Sequence, residues 1–219
     1  MSHKAQSLKD LKRKKPKRSP YDRILIVCEG KKTEPYYFTA MKDDLKLNTA
    51  NVVIDGDSDS SPRSVVLYAK QRYKDDVKMN GKMDCFDRVY CVFDRDEHET
   101  YDEAVNSIQT STPNGVYFAI TSIPCFEFWL LLHFTLSTKP YSRSGKRSPG
   151  QNAEHELKVF MKDYQKGDKT IYQQLKGPKT DTAIKNAKQV NDAAQASGFN
   201  NPSTSIPDLV IYLRNLKEQ

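Results

Sequence analysis

Residues 24–35 read Ile24-Leu25-Ile26-Val27-Cys28-Glu29-Gly30-Lys31-Lys32-Thr33-Glu34-Pro35, and this stretch decides the fold class. Five consecutive apolar residues mark a strand buried on both faces, as the inner strands of parallel sheets are. A carboxylate closes the run. Thr33-Glu34-Pro35 then opens a helix, because proline costs little in a first turn whose N–H groups lack intrahelical partners. Phe38, Met41 and Leu45 supply that helix with an apolar stripe.

The same alternation continues along the chain. Val52-Val53-Ile54 predicts a second strand, and Ser61-Pro62 an N-cap followed by proline at the first helical position. Arg88 to Phe93 predicts a third strand ending at Asp94, and Glu99 to Thr110 a polar helix. Val116 to Thr121 predicts a fourth strand, and Phe126 to Phe134 a buried helix. Strand and helix in turn, with short links, predict an α/β fold: a mostly parallel four-stranded sheet with helices on both faces. The pattern breaks after His133. Residues 139–150 are rich in Ser, Pro, Gly and cations and read as a loop. Ala183, Ile184, Ala187, Val190 and Ala194 form one later helical stripe, and Ile206, Leu209, Val210, Leu213 and Leu216 another. The expected division is a disordered basic tail at 1–20, an α/β domain at 21–138, and a loop with a helical C-terminal subdomain at 139–219, packed on the same core.

Charge supports this division. The 219 residues carry a net charge of +7, with 35 Lys and Arg against 28 Asp and Glu. Residues 1–20 hold eight of the cations and one of the anions, which leaves 27 of each sign in the rest. The tail suits a nonspecific grip on nucleic-acid phosphates, whereas the folded body is electrically balanced. The longest apolar run, Phe126 to Phe134, is interrupted by Glu127 and His133 and is too short to span a bilayer. No apolar stretch follows the basic N-terminus before Tyr21, so no secretory signal is expected there. The four cysteines form no C-x-x-C pair, and buried free thiols in the cytoplasm are the expectation.

Ligands of open parallel sheets collect beyond the carboxyl ends of the strands. Two acidic clusters fall at such ends. Glu29 closes the first strand, with Lys31 and Lys32 behind it. Asp94-Arg95-Asp96-Glu97-His98 closes the third. Asp94 and Asp96 on one departing loop, with Glu29 from a neighbouring strand, would offer hard oxygens to one magnesium or manganese ion. Glu127 begins its helix directly after the fourth strand. It is either a carboxylate favoured at a helix N-terminus or a further metal ligand or base. Glu34 faces the same choice. His98 beside the acidic pair is a further candidate, whereas His133 on an apolar helix reads as core.

Rival motifs fail at required positions. A P-loop requires glycine five residues before Gly30, where Leu25 stands. Asp55 to Asp59 is similar to an EF-hand opening, but Ser60 and Val66 occupy its required glycine and glutamate.

The glutamate followed by D-x-D resembles the TOPRIM fold of topoisomerases, primases and OLD-family nucleases. Three longer strings resemble the RloB family: Ile24-Leu-Ile-Val-Cys-Glu-Gly-Lys-Lys-Thr-Glu-Pro-Tyr-Tyr-Phe38, Val92-Phe-Asp-Arg-Asp-Glu-His98 and Pro124-Cys-Phe-Glu-Phe-Trp-Leu-Leu-Leu-His-Phe134. The resemblance covers residues 22–135 closely and extends more loosely to Tyr164–Lys166 and to Asn201–Leu213. Relatives often carry Ser-Asn-Pro where this chain has Ser122-Ile123-Pro124. The resemblance implies a TOPRIM-type, Rossmann-like sheet and a role in prokaryotic antiviral defence or abortive infection, commonly beside an RloA-type ATPase. Two functions follow as expectations. One is a Mg²⁺-dependent nuclease acting on DNA or RNA, tRNA included, with Glu29, Asp94 and Asp96 on the metal and Lys31 or Lys32 on the phosphate. The other is a metal- and nucleic-acid-binding regulatory subunit that does not cut. Association into a homo-oligomer stays open, and no membrane partner is expected.

Overall fold

A computed structural model describes residues 21–48 and 51–216. The disorder expected for residues 1–20 lies outside these residues. Among the described residues the elements run β1 (Ile24–Cys28), α1 (Thr33–Asp44), β2 (Val52–Asp55), α2 (Pro62–Asn80), β3 (Arg88–Asp94), α3 (Tyr101–Gln109), β4 (Tyr117–Ile123), α4 (Phe126–Leu131), α5 (Pro149–Phe160), α6 (Ile171–Leu175), α7 (Pro178–Ser197), β5 (Ser203–Thr204) and α8 (Ile206–Asn215).

The sheet order is β2-β1-β3-β4-β5. β1 lies parallel to both β2 and β3, and β3 parallel to β4. This corrects the four-stranded expectation. The fifth strand is antiparallel and pairs Ser122 with Thr204 and Ile123 with Ser203. Two residues between Asn-Pro and a helix start carry no alternation, so sequence periodicity could not mark them. Ser122 Oγ and Thr204 Oγ1 lie 2.9 Å apart across that edge.

Every residue of β1 is buried, because helices cover both sides of the sheet. Ile24, Ile26 and Cys28, with Tyr90 and Val92 of β3, join the core formed by α1 and α4 to α8. Leu25 and Val27, with Val89, Cys91 and Phe93, face α2 and α3. The C-terminal helices therefore build one side of the same core. Their stripes are the expected ones: Ala183, Ala187 and Val190 of α7 are buried, as are Ile206, Leu209, Val210 and Leu213 of α8. Ser61 caps α2, its hydroxyl accepting from the Ser64 N–H at 3.2 Å, with Pro62 at the first turn. Within the 139–150 loop, Ser144 and Arg147 form an antiparallel bridge.

All four cysteines are free and buried. His133 is core, as expected. Its Nδ1 lies 3.1 Å from the Trp129 carbonyl, and burial lowers its pKa to about 4. Among the described residues no helix is long and apolar enough to cross a membrane.

Candidate functional site

The parallel register decides which side chains meet beyond the strand ends. β1 and β3 are neighbours, so the residues following them emerge at the same edge. Glu29 Oε2 accepts the backbone N–H of Asp94 at 3.0 Å, tying the first acidic position to the second. His98 Nε2 lies 3.1 Å from the other oxygen, Oε1. Asp94 ends β3 in phase with Tyr90 and Val92, which face the side of α1 and α4. The backbone N–H of Phe126, the first residue of α4, favours the charged form of Asp94.

Two further carboxylates arrive on helix starts. Glu34 stands in the first turn of α1 and Glu127 in that of α4. Glu127 is 2% exposed. Its Oε1 accepts from the Tyr164 hydroxyl at 2.9 Å and lies 3.3 Å from Lys166 Nζ. Both partners come from the segment between α5 and α6. That segment is held against α1: the Gly167 N–H donates to Thr33 Oγ1 at 3.1 Å, and the stem of Lys32 covers Gly167 where a side chain would stand.

Electrostatics show how closely these acids act on one another. Burial, then the charges of Glu127 and Glu29, push Glu34 up to about 8. Burial, then Glu34, Glu127 and Glu29, hold Asp94 well above the usual carboxylate range. Burial also raises Glu29, against the Asp94 N–H and His98. For Lys166, burial alone would lower the pKa, but Glu127 outweighs it and the ammonium is held firmly protonated. Glu29, Glu34, Asp94 and Glu127 thus act on one another electrostatically, with Lys166 and His98 as the nearby cationic and imidazole groups. Among the described residues, no three His, Cys, Asp or Glu side chains are already gathered as a metal cage.

The structure separates the two aspartates of the D-x-D loop. Asp96 has φ of 27°, which breaks the strand alternation, and its carboxylate faces α5. Oδ2 accepts from Ser148 Oγ at 3.1 Å and Oδ1 from the Gly150 N–H at 3.0 Å. Its charge still reaches Glu29. Lys31 is exposed, 3.9 Å from Asp57. The sequence strings had brought Glu29, Asp94 and Glu127 forward. Lys166 and Tyr164 carry no local signal beyond the loose family likeness, and only the fold carries them to Glu127.

Gly150 is the close-approach position of this site. A Cβ there would stand 3.0 Å from Asp96 Oδ2 and 3.2 Å from its Cγ. Gly150→Ala is expected to destabilise the protein by about 1–3 kcal/mol, measured by urea unfolding. In the Asp96→Ala background the same change should cost clearly less, since the crowding partner is gone. Simple additivity would locate the cost elsewhere.

A family model described as RloB-like protein matches residues 24–213. The matched span runs from the first residue of β1 into α8, and so includes all four carboxylates and the Tyr164–Lys166 segment. No curated protein and no solved structure matches the chain.

Proposed function

The chain belongs to the RloB-like family, and on that premise we propose that it is a Mg²⁺-dependent nuclease of prokaryotic antiviral defence, built on a TOPRIM-like sheet and working with an RloA-type ATPase. The observation that carries this reading is the set Glu29, Glu34, Asp94 and Glu127 at one edge of the sheet, where burial first and then the charges of the others raise the pKa of Glu34 and Asp94. The donor set fits a hard divalent cation: it consists of carboxylate oxygens, and among the described residues no guanidinium pairs with it. Glu29 and Asp94 would hold the ion, with Glu34, Glu127 and Asp96 within reach of its field. Such an ion, when bound, polarises a scissile phosphate and lowers the pKa of a bound water.

The remaining roles belong to the chain. The Asp94 N–H and His98 orient the two oxygens of Glu29. The Phe126 N–H at the start of α4 favours the charged form of Asp94. Tyr164 and Lys166 hold Glu127, and the Lys166 side chain is 61% exposed, so it borders solvent where a phosphate would arrive. Lys32, exposed at the start of α1, stands on the same side and is suited to stabilise phosphate charge.

The test is incubation of the purified chain with DNA, RNA and tRNA pools, with Mg²⁺ or Mn²⁺. Cleavage that EDTA stops and that Glu29→Gln loses is the expected result. Binding with no cleavage, with or without an RloA-type ATPase, would assign the non-cutting subunit instead.

A further inference from the structure

Residues 142–147 project beside the acidic loop and take no part in the site described above. They form a tight hairpin: the Ser144 N–H donates to the Arg147 carbonyl and the Arg147 N–H to the Ser144 carbonyl, each at 3.1 Å. Gly145 makes the turn with φ of 59°. The hairpin is anchored on α5. Asn152 Nδ2 donates to the Ser142 carbonyl at 2.8 Å, and Ser148 with Gln151 completes a capping box at the helix start.

Its charge is one-sided. Residues 139–153 contain Lys139, Arg143, Lys146 and Arg147 and no Asp or Glu, in a body whose charges of the two signs balance only when these four are counted. Residues 142–147 are all exposed. Arg143 pairs with Glu97 of the D-x-D loop. Among the described residues neither Lys146 nor Arg147 makes an ion pair. One cation thus fixes the hairpin to the rim of the acidic site, as do the bonds from Ser148 and Gly150 to Asp96, while two cations are left facing water.

A cluster of carboxylates repels a polyanion, so a nucleic-acid strand crossing it needs cations on its flanks. Lys31 and Lys32 stand on one flank, at the start of α1. We propose that the hairpin at residues 142–147 is the opposite flank, a phosphate-binding arm in which Lys146 and Arg147 contact the sugar-phosphate backbone of the strand acted on. This rests on the nuclease reading. The contact is to phosphate, so it takes DNA and RNA alike, and the balanced sequence around it makes it a local grip rather than part of a broad basic face.

The experiment is fluorescence anisotropy of labelled DNA and RNA oligonucleotides with the full chain in EDTA, over a salt series. Lys146→Glu/Arg147→Glu is compared with Lys185→Glu/Lys188→Glu, which makes the same charge change on exposed positions of α7. The hairpin pair should weaken binding at least ~10-fold and lower the slope of log affinity against log salt by roughly one per lost contact. The α7 pair should change little. Wild-type affinity in the hairpin pair, or equal losses in both pairs, overturns the arm and leaves the nuclease reading standing. A wild-type chain that binds neither DNA nor RNA overturns both. The neutral pair Lys146→Gln/Arg147→Gln, expected to weaken binding by about half as much on a logarithmic scale, serves if the charge-reversed pair melts early.

Discussion

Asp94→Asn is expected to weaken Mn²⁺ binding by ~100-fold or more while raising the melting temperature of the metal-free protein at pH 8. The substitution keeps an acceptor oxygen towards the Phe126 N–H, so any cap on the start of α4 is retained. It removes a carboxylate on which the charges of Glu34, Glu127 and Glu29 act. If Asp94 served only to cap α4, asparagine would do so nearly as well and the ion affinity would not move. If it is a metal ligand, affinity falls and metal-free stability rises together, which a capping role cannot produce. Calorimetric titration with Mn²⁺ and melting curves in EDTA measure the two effects separately. Unchanged Mn²⁺ affinity would remove Asp94 from the metal proposal.

The second large effect is on pH. Metal-free protein should lose stability as pH rises from about 5 to 8.5. Glu34 is raised to about 8 in the fold, from an ordinary value of 4.5, and Asp94 and Glu29 are raised with it. A group whose pKa is raised by folding holds its proton more tightly in the native state. Its stabilisation is complete below 4.5 and is lost as pH climbs through about 8. The combined loss should be on the order of a few kcal/mol, or ~5–10 °C in melting temperature for a chain of this size. His133 acts in the opposite window. Burial lowers its pKa to about 4, so its contribution is present above 6.5 and lost as pH falls through about 4. Stability in EDTA should therefore peak where these windows overlap, between about 4.5 and 6.5. Mn²⁺ should flatten the alkaline limb by supplying the counter-charge, and Glu34→Gln should flatten it without metal. A melting temperature constant from pH 5 to 8.5, or an alkaline limb unaltered in Glu34→Gln, would show that these carboxylates do not repel one another as described.

The division between legible and illegible parts follows from the range of the forces involved. The run from Ile24 to Cys28 determined a strand buried on both faces, since a solvent-facing strand would alternate with polar residues. Glu29 and Asp94 at the ends of two apolar runs determined that carboxylates would stand at one edge of the sheet. Ser61-Pro62 determined the start of α2, because a cap is a contact between residues three apart. These are local signals, written in composition and period. β5 was not legible, since two residues have no period, and its pairing depends on where β4 lies. Nor was the distribution of carboxylates around the site. Residue spacing suggested that Asp94 and Asp96 would turn the same way. The backbone at Asp96 instead gives its oxygens to Ser148 and Gly150, more than fifty residues later in the chain. Glu34 and Glu127 looked like ordinary helix-start acids until packing set them beside Asp94 and closed Glu127 beneath Tyr164 and Lys166. Local sequence sets the residue types and the strand ends, whereas the shift in a carboxylate's pKa depends on burial and on charges brought near by folding, and only the tertiary structure decides those.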